Sequence, residues 1–303
     1  MNFFSPLAQG LRTYDKVIAL LLMMVLGGML PQFQALSFLV QYLLMAMLFF
    51  AFLDIEIRPG SFQKGVLWIL VANVALGFLS YWLLSFVDLT LALAAFMTAI
   101  APTAISSPVI IRLIEGRVEY LVAAVLLTNL SMSLVVPVAL PALVGHVARI
   151  SVWEVLQLVL LAMFVPLILA RLARALPQGA QGLLRRGKPL SFPLWLLNLF
   201  IISAKAADFL RNHLTASVGT LAAIALVSLA ICIVNFGVGA WLGGPAYWQE
   251  ASQALGQKNT SFTIWIALTF INPLVAMGPT FYVLYHNLYN SWQIYRFEKQ
   301  RSS

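Results

Sequence analysis

The chain reads as a succession of long apolar runs joined by short polar links. A membrane-spanning helix needs about 20 predominantly apolar residues. On that measure ten runs stand out, at 16–31, 36–53, 66–86, 89–115, 118–144, 152–176, 192–210, 217–243, 246–272 and 278–296. Two are interrupted. The fourth breaks at Ala101-Pro102-Thr103-Ala104-Ile105-Ser106-Ser107-Pro108 and the ninth at Gly256-Gln257-Lys258-Asn259-Thr260-Ser261. A helix that unwinds in hydrocarbon leaves backbone groups unpaired, so such breaks persist where they line a protein cavity or a solute or ion site. Five runs fall on each side of the link His146–Ser151, and each break lies in the fourth run of its half. An odd number of spans inverts the second half relative to the first. Paired interruptions of this kind mark secondary transporters built from inverted repeats. The predicted fold is therefore all-α and integral to the membrane. It has ten transmembrane helices as two inverted five-helix repeats, with discontinuous helices 4 and 9 crossing near the midplane, in one domain over 1–303.

Composition agrees with that pattern. Hydrophobic residues make up 62% of the 303 and charged residues 9%, against about 25% charged in soluble domains. The net charge of +8 would fit a nucleic-acid partner, but the cations sit in the links between apolar runs, where they orient spans in a bilayer. Fourteen of the 18 Lys and Arg, from Arg12 and Lys16 to Lys299 and Arg301, fall on the side shared by both termini. Arg149 and Arg211, with Lys205, fall on the other. The positive-inside rule then places both termini in the cytoplasm and the chain in the cytoplasmic (inner) membrane. The bilayer is the expected partner, and nucleic acid is not. The longest link, Ala175–Ser191, carries three glycines and three basic residues and reads as a mobile connector. Residues 1–16 are polar and weakly amphipathic, with no small-residue cleavage pattern after the first run, which reads as an uncleaved span.

Lys258 is the residue with most chemical content. A lysine at the centre of a span costs about 2.5–3.5 kcal/mol on insertion scales. It lies far from both ends of its run, with Gln257, Asn259, Thr260 and Ser261 as polar neighbours. Its ammonium offers a fixed charge to an anion, and burial offers a route to proton coupling by favouring release of its proton. The first break supplies Thr103, Ser106 and Ser107, between prolines that cannot continue a helical ladder. Ser106 reads as the N-cap of the following half-helix, whose free amides would favour an anion. His286 and Asn287 lie mid-span in the last run, and Asn73 and Asn235 are polar at membrane depth. Cys232 is the single cysteine and reads as a buried small hydrophobe; the three histidines are scattered. No metal site or cofactor is expected. Motifs of zinc proteases, serine hydrolases, prenyl-diphosphate enzymes and phosphate loops are missing from the sequence, so an enzyme is not expected.

Together these residues resemble the bile acid:sodium symporter family, within the wider bile, arsenite and riboflavin transporter superfamily. Its fourth-span run Pro-Gly-Gly-x-x-Ser-Asn is matched here at Pro102 and Ser107. Its ninth-span run Glu-x-Gly-x-Gln-Asn-Ser is matched at Gly256 and Asn259 and nearly at Thr260. Its Trp-His-Asn is echoed by Tyr285-His286-Asn287, and its basic-proline loop by Arg58-Pro59-Gly60-Ser61-Phe62. The resemblance implies panel helices at 16–53 and 152–210 and core helices at 66–144 and 217–296. An organic anion would bind between them, near Thr103, Ser106, Ser107, Asn259, Thr260, His286 and Asn287.

The departures from the family bear on its ion sites. The ninth-span glutamate is Ala254 and the glutamine is Lys258. The fourth-span asparagine is Pro108, the fifth-span hydroxyl positions align with Leu121 and Val125, and the third-span glutamine is Asn73. Sodium needs several hard oxygen ligands, so the ion-site equivalents Asn73, Ser107 and Lys258 point to a carrier in which the lysine ammonium replaces sodium. The alternatives are a sodium symporter with a degenerate site, or a transport-inactive receptor or scaffold of the same fold. An arsenite carrier would need a fourth-span thiol. A membrane enzyme acting on lipid would need its polar groups at headgroup level.

Overall fold

The computed structural model describes residues 18–53, 63–145, 151–212 and 218–302. They form α1 (Ile18–Met29), a 3-10 segment (Pro31–Phe38) running into α2 (Leu39–Phe52), α3 (Lys64–Ser85), α4 (Leu89–Ala99), α5 (Ser107–Leu113) and α6 (Val118–Val144). They continue with α7 (Val152–Arg174), α8 (Gln178–Arg186), α9 (Ser191–Asn212), α10 (Val218–Gly256), α11 (Thr260–Phe270) and α12 (Pro273–Ser302). Strands are absent among the described residues apart from one isolated bridge. Among the described residues, six helical stretches are long and apolar enough to cross a membrane: Pro31–Phe52, Lys64–Ser85, Val118–Val144, Val152–Arg174, Ser191–Phe209 and Val218–Gly256. Three shorter apolar helices, Ile18–Met29, Leu89–Ala99 and Thr260–Phe270, accompany them. By length and composition the chain is an α-helical, multi-pass membrane protein.

The helices are inside-out relative to those of a soluble domain. On α3 the buried stripe is Val66, Ile69, Asn73 and Gly77, so an amide and a glycine face the interior. Leu67, Trp68, Leu79 and Trp82 face outward, where a bilayer would cover them. Apolar side chains gain little by leaving lipid, so close packing of small residues and interhelical hydrogen bonds hold such a bundle together. A methyl group at Gly77 would lie 2.8 Å from Ile100 Cδ1, and one at Gly278 would lie 2.7 Å from the carbonyl oxygen of Ala94. These glycines let α3 and α12 approach α4 on two sides.

Local signals set the helix ends. Asp88 accepts from Leu91 N at 2.7 Å and Ser151 from Trp153 N at 3.2 Å, each acting as an N-cap. Asn272 accepts from Val275 N at 2.9 Å just ahead of Pro273, the first residue of α12. Helix α10 is a hairpin of two arms. Gly244 has φ 56°, a left-handed conformation that a side chain disfavours, and Pro245 follows it. The arms then pack face to face, so that a methyl on Gly239 would meet the Ala251 carbonyl oxygen at 2.5 Å. Gly239 and Gly243 are closely packed in this way, while Gly237 and Gly244 have open space beside them.

The link 175–191, read from the sequence as a connector, is partly helical. It contains α8, whose Gln181 donates to the carbonyls of Arg174 and Leu176 at 2.8 Å each. Arg174 in turn donates to the carbonyls of Phe52 and Leu53 at the end of α2, at 2.8 and 3.0 Å. Helix α2 packs on α7 and α9, while α4 is enclosed by α3, α10 and α12. The chain start, most of the link 146–151 and the Arg58–Phe62 loop lie outside the described residues.

Candidate functional site

Helix α4 ends at Ala99 and α5 begins at Ser107; α10 ends at Gly256 and α11 begins at Thr260. The two non-helical links meet. Ala104 N donates to the Gln257 carbonyl and Asn259 N to the Pro102 carbonyl, both at 2.7 Å, pairing Thr103 with Lys258 in antiparallel fashion. Backbone groups freed by each break are thereby satisfied by the other, as burial requires. Pro102 contributes only an acceptor, having no N–H to satisfy.

The side chains of the paired residues act reciprocally. Thr103 Oγ1 donates to the carbonyl of Ala254 at 2.6 Å, four residues before Lys258. Lys258 Nζ donates to the carbonyl of Ala99 at 2.9 Å, four residues before Thr103. Each caps the last turn of the helix that leads into the other's break. Lys258 Nζ also donates to Asn73 Oδ1, and the Asn73 amide donates to the carbonyl of Ile100 at 3.0 Å. Lys258 is 2% exposed, and its ammonium is held by two neutral oxygens at the carbonyl end of α4.

A helix C-terminus carries roughly half a negative charge. A cation there gains up to about 2 kcal/mol in a favourable buried geometry. Set against the insertion cost of about 2.5–3.5 kcal/mol for a mid-span lysine, the helix end offsets a large part of the burial of this amine without a carboxylate.

A second layer fixes the links from α6. Thr128 Oγ1 accepts from Thr103 N at 3.0 Å and donates to the Ala124 carbonyl at 2.8 Å. Asn129 Nδ2 donates to the carbonyls of Thr103 (2.9 Å) and Val125 (2.8 Å), and its Oδ1 accepts from Asn259 Nδ2 at 3.1 Å. On the other flank Tyr282 donates its hydroxyl to the Gly256 carbonyl at 2.6 Å and accepts from Asn235 Nδ2 at 3.1 Å. Below the crossing, Gln253 Nε2 donates to Asn290 Oδ1 (2.9 Å) and Gln293 Oε1 (2.5 Å). This amide cluster is buried.

The residues singled out from the sequence separate into groups. Thr103, Lys258 and Asn73 are at the centre, buried and hydrogen-bonded through their side chains. Asn259 is half-buried beside Asn129, and Thr260 opens α11. Ser107 is buried, and its hydroxyl has no hydrogen-bond partner. Ser106 stands at the N-cap position of α5, as anticipated, but its hydroxyl does not bond the helix amides. That helix has only 7 residues, and the Ser106 hydroxyl, at an exposed position, instead accepts from Gln257 Nε2 at 3.0 Å. His286 is buried edge-on against Tyr282, ring centroids 5.5 Å apart, and its Nδ1 is unpartnered. Asn287 turns back onto its own helix, donating to the Val283 carbonyl at 2.6 Å. No hydrogen bond joins these last two to the crossing.

Thr128, Asn129, Tyr282 and Gln253 were not anticipated. In α6 the family comparison pointed to Leu121 and Val125, which are buried apolar residues; the polar pair lies farther along the helix at Thr128 and Asn129. Two adjacent polar residues inside an apolar run carry the same signal that had marked Asn73. The chain matches no protein-family model and no curated protein.

Proposed function

We propose that the chain is a secondary transporter of a small organic anion, organised like the bile acid:sodium symporters and independent of sodium. In this reading α4 with α5, and the second arm of α10 with α11, are the discontinuous fourth and ninth of ten spans in two inverted five-helix repeats. Helices α1, α2, α7 and α9 form the panel, and the remaining spans form the core. The reciprocal capping by Thr103 and Lys258 supports the inverted relation, since each plays on the other's helix the part played on its own.

The observation that carries the proposal is the Lys258 ammonium on the carbonyl end of α4, held by Asn73 and Ala99. A helix C-terminus attracts a cation. Where the resembling family uses sodium, this chain supplies a tethered amine. The charge is turned inward, held by backbone oxygen of the crossing rather than reaching for solute. The anion would meet the rim of the crossing, where Ser106 is exposed and Asn259 half-buried, with Ser107 and Thr260 behind them. Panel and core would move against each other around that rim.

A thermal-shift panel of pyruvate, 2-oxoglutarate and taurocholate on the purified protein, in choline and in sodium buffers, tests the reading. An anion that raises the melting temperature of the parent equally in both buffers, and fails to do so in Lys258→Met, supports it. Stabilisation seen only with sodium contradicts the sodium-independent part. Equal stabilisation of parent and variant removes the lysine from the mechanism.

A further inference from the structure

On the flank of the crossing, where Phe236 packs on Gly256, the first arm of α10 and the middle of α12 leave a cleft of about 400 Å3 between them, within the range of about 300–1,000 Å3 typical of ligand pockets. Its walls are apolar, with Leu229, Ile233 and Gly237 on α10, Leu288 and Tyr289 on α12, and Cys232 among them. Ile233 is 66% and Leu288 44% exposed, so the cleft opens on the outside of the bundle, where a bilayer would lie. Gly237 has no atom within 4 Å of where a methyl would project. A mid-helix glycine with empty space beside it forgoes about 0.5–1 kcal/mol relative to alanine. Here it keeps the cleft deep.

The cleft is continued by aromatic rings to a cation. Phe236 and Tyr289 rings lie 4.0 Å apart, Tyr289 and Trp292 5.5 Å apart, and the Arg296 guanidinium sits 5.5 Å over the Trp292 ring. Tyr285, Tyr289, Trp292 and Arg296 follow helical spacing along one face of α12. From Tyr285 to Arg296 the helix rises about 16 Å, roughly half of a hydrocarbon core of about 30 Å. Trp292, Trp248 and Trp241 are all partly exposed at this end, as interfacial anchors are. An apolar cleft one leaflet tall, an aromatic belt and an exposed arginine at the polar end have the chemistry of one phospholipid.

We infer that this cleft is a structural binding site for an anionic phospholipid. One acyl chain lies between α10 and α12 along Gly237, and the phosphate is held by Arg296. The apolar walls seat the acyl chain, and the guanidinium supplies the selectivity through charge-assisted hydrogen bonds to phosphate. The inference requires only that the helices stand in a bilayer and does not depend on the transport reading.

Native mass spectrometry of the delipidated protein, titrated with phosphatidylglycerol or phosphatidylcholine, tests it. The parent should retain phosphatidylglycerol about tenfold more tightly than phosphatidylcholine. Arg296→Gln should remove that preference, and Gly237→Leu, which fills the cleft, should weaken both lipids. In parallel, a diazirine-bearing phosphatidylglycerol photocrosslinked to the unmodified protein should label peptides covering 229–240 and 285–296. Labelling elsewhere alone, or variants that keep the parent's lipid retention, would overturn the assignment.

Discussion

Thr103 and Lys258 each donate from the side chain to the carbonyl four residues before the other, at 2.6 and 2.9 Å. One donor is neutral and the other charged, and that difference sets what their loss should do. Thr103→Val keeps the shape and removes only the hydroxyl. Interhelical hydrogen bonds in membranes average about 0.6 kcal/mol, with a maximum near 1.7. Leaving the Ala254 carbonyl bare in the buried last turn of α10 belongs at the upper end, so Thr103→Val should lose about 1.5 kcal/mol and Thr103→Ser close to nothing. Unfolding of the detergent-solubilised protein by sodium dodecyl sulfate measures both.

Lys258→Met should behave differently. It strips a donor from Asn73 and Ala99, at a cost of about 1–3 kcal/mol. It also removes a buried amine whose insertion costs about 2.5–3.5 kcal/mol. The two nearly cancel, so stability should stay within about 1 kcal/mol of the parent while any anion-dependent stabilisation disappears. A collapse of the fold would mean that the amine is structural rather than functional.

Asn129 should be the most costly single amide at the crossing. It donates to Thr103 and Val125 and accepts from Asn259, linking α6 to both breaks. Asn129→Leu should lose about 2–3 kcal/mol, more than Thr103→Val, because three bonds fail at once. The double variant with Asn259→Leu should lose less than the two single losses added together, since the two residues share one bond. A double-mutant cycle on the same unfolding assay reads this out.

The two open glycines of α10 should respond in opposite directions. Gly244 has φ 56° and ψ −164°, a region open essentially to glycine alone, so Gly244→Ala should cost about 1–3 kcal/mol through backbone strain, as nothing lies within 4 Å of the new methyl. Gly237 is an ordinary helical residue beside the lipid-facing cleft, and Gly237→Ala should add about 0.5–1 kcal/mol. Melting curves of the two variants compared with the parent check the sign of each.

Much of this architecture was legible in the hydrophobic pattern. Apolar runs expected at 66–86, 118–144 and 152–176 became Lys64–Ser85, Val118–Val144 and Val152–Arg174. Both breaks appeared where prolines and polar residues interrupt the runs, because a broken ladder inside an apolar segment leaves a local trace. Lys258 was legible for the same reason, since a charge at that depth needs a partner. The partners themselves were not. Asn129 meets Thr103 across 26 positions and Asn73 meets Lys258 across 185, and single polar residues in a long apolar helix do not change its periodicity. The helix within 175–191 was masked by its glycines, although Leu183, Leu184, Arg185 and Arg186 have amphipathic spacing. Ser106 fits an N-cap by residue type, but Gln257 engages its hydroxyl first, a contact that only the crossing creates.

The central claim is that the Lys258 amine stands where a coupling cation would otherwise be needed. Counterflow of the anion that stabilises the protein, in proteoliposomes with all sodium replaced by choline, addresses it most directly. The account predicts that exchange proceeds equally in the two salts and is lost in Lys258→Met. Exchange by the parent protein that stops when sodium is withdrawn would contradict it.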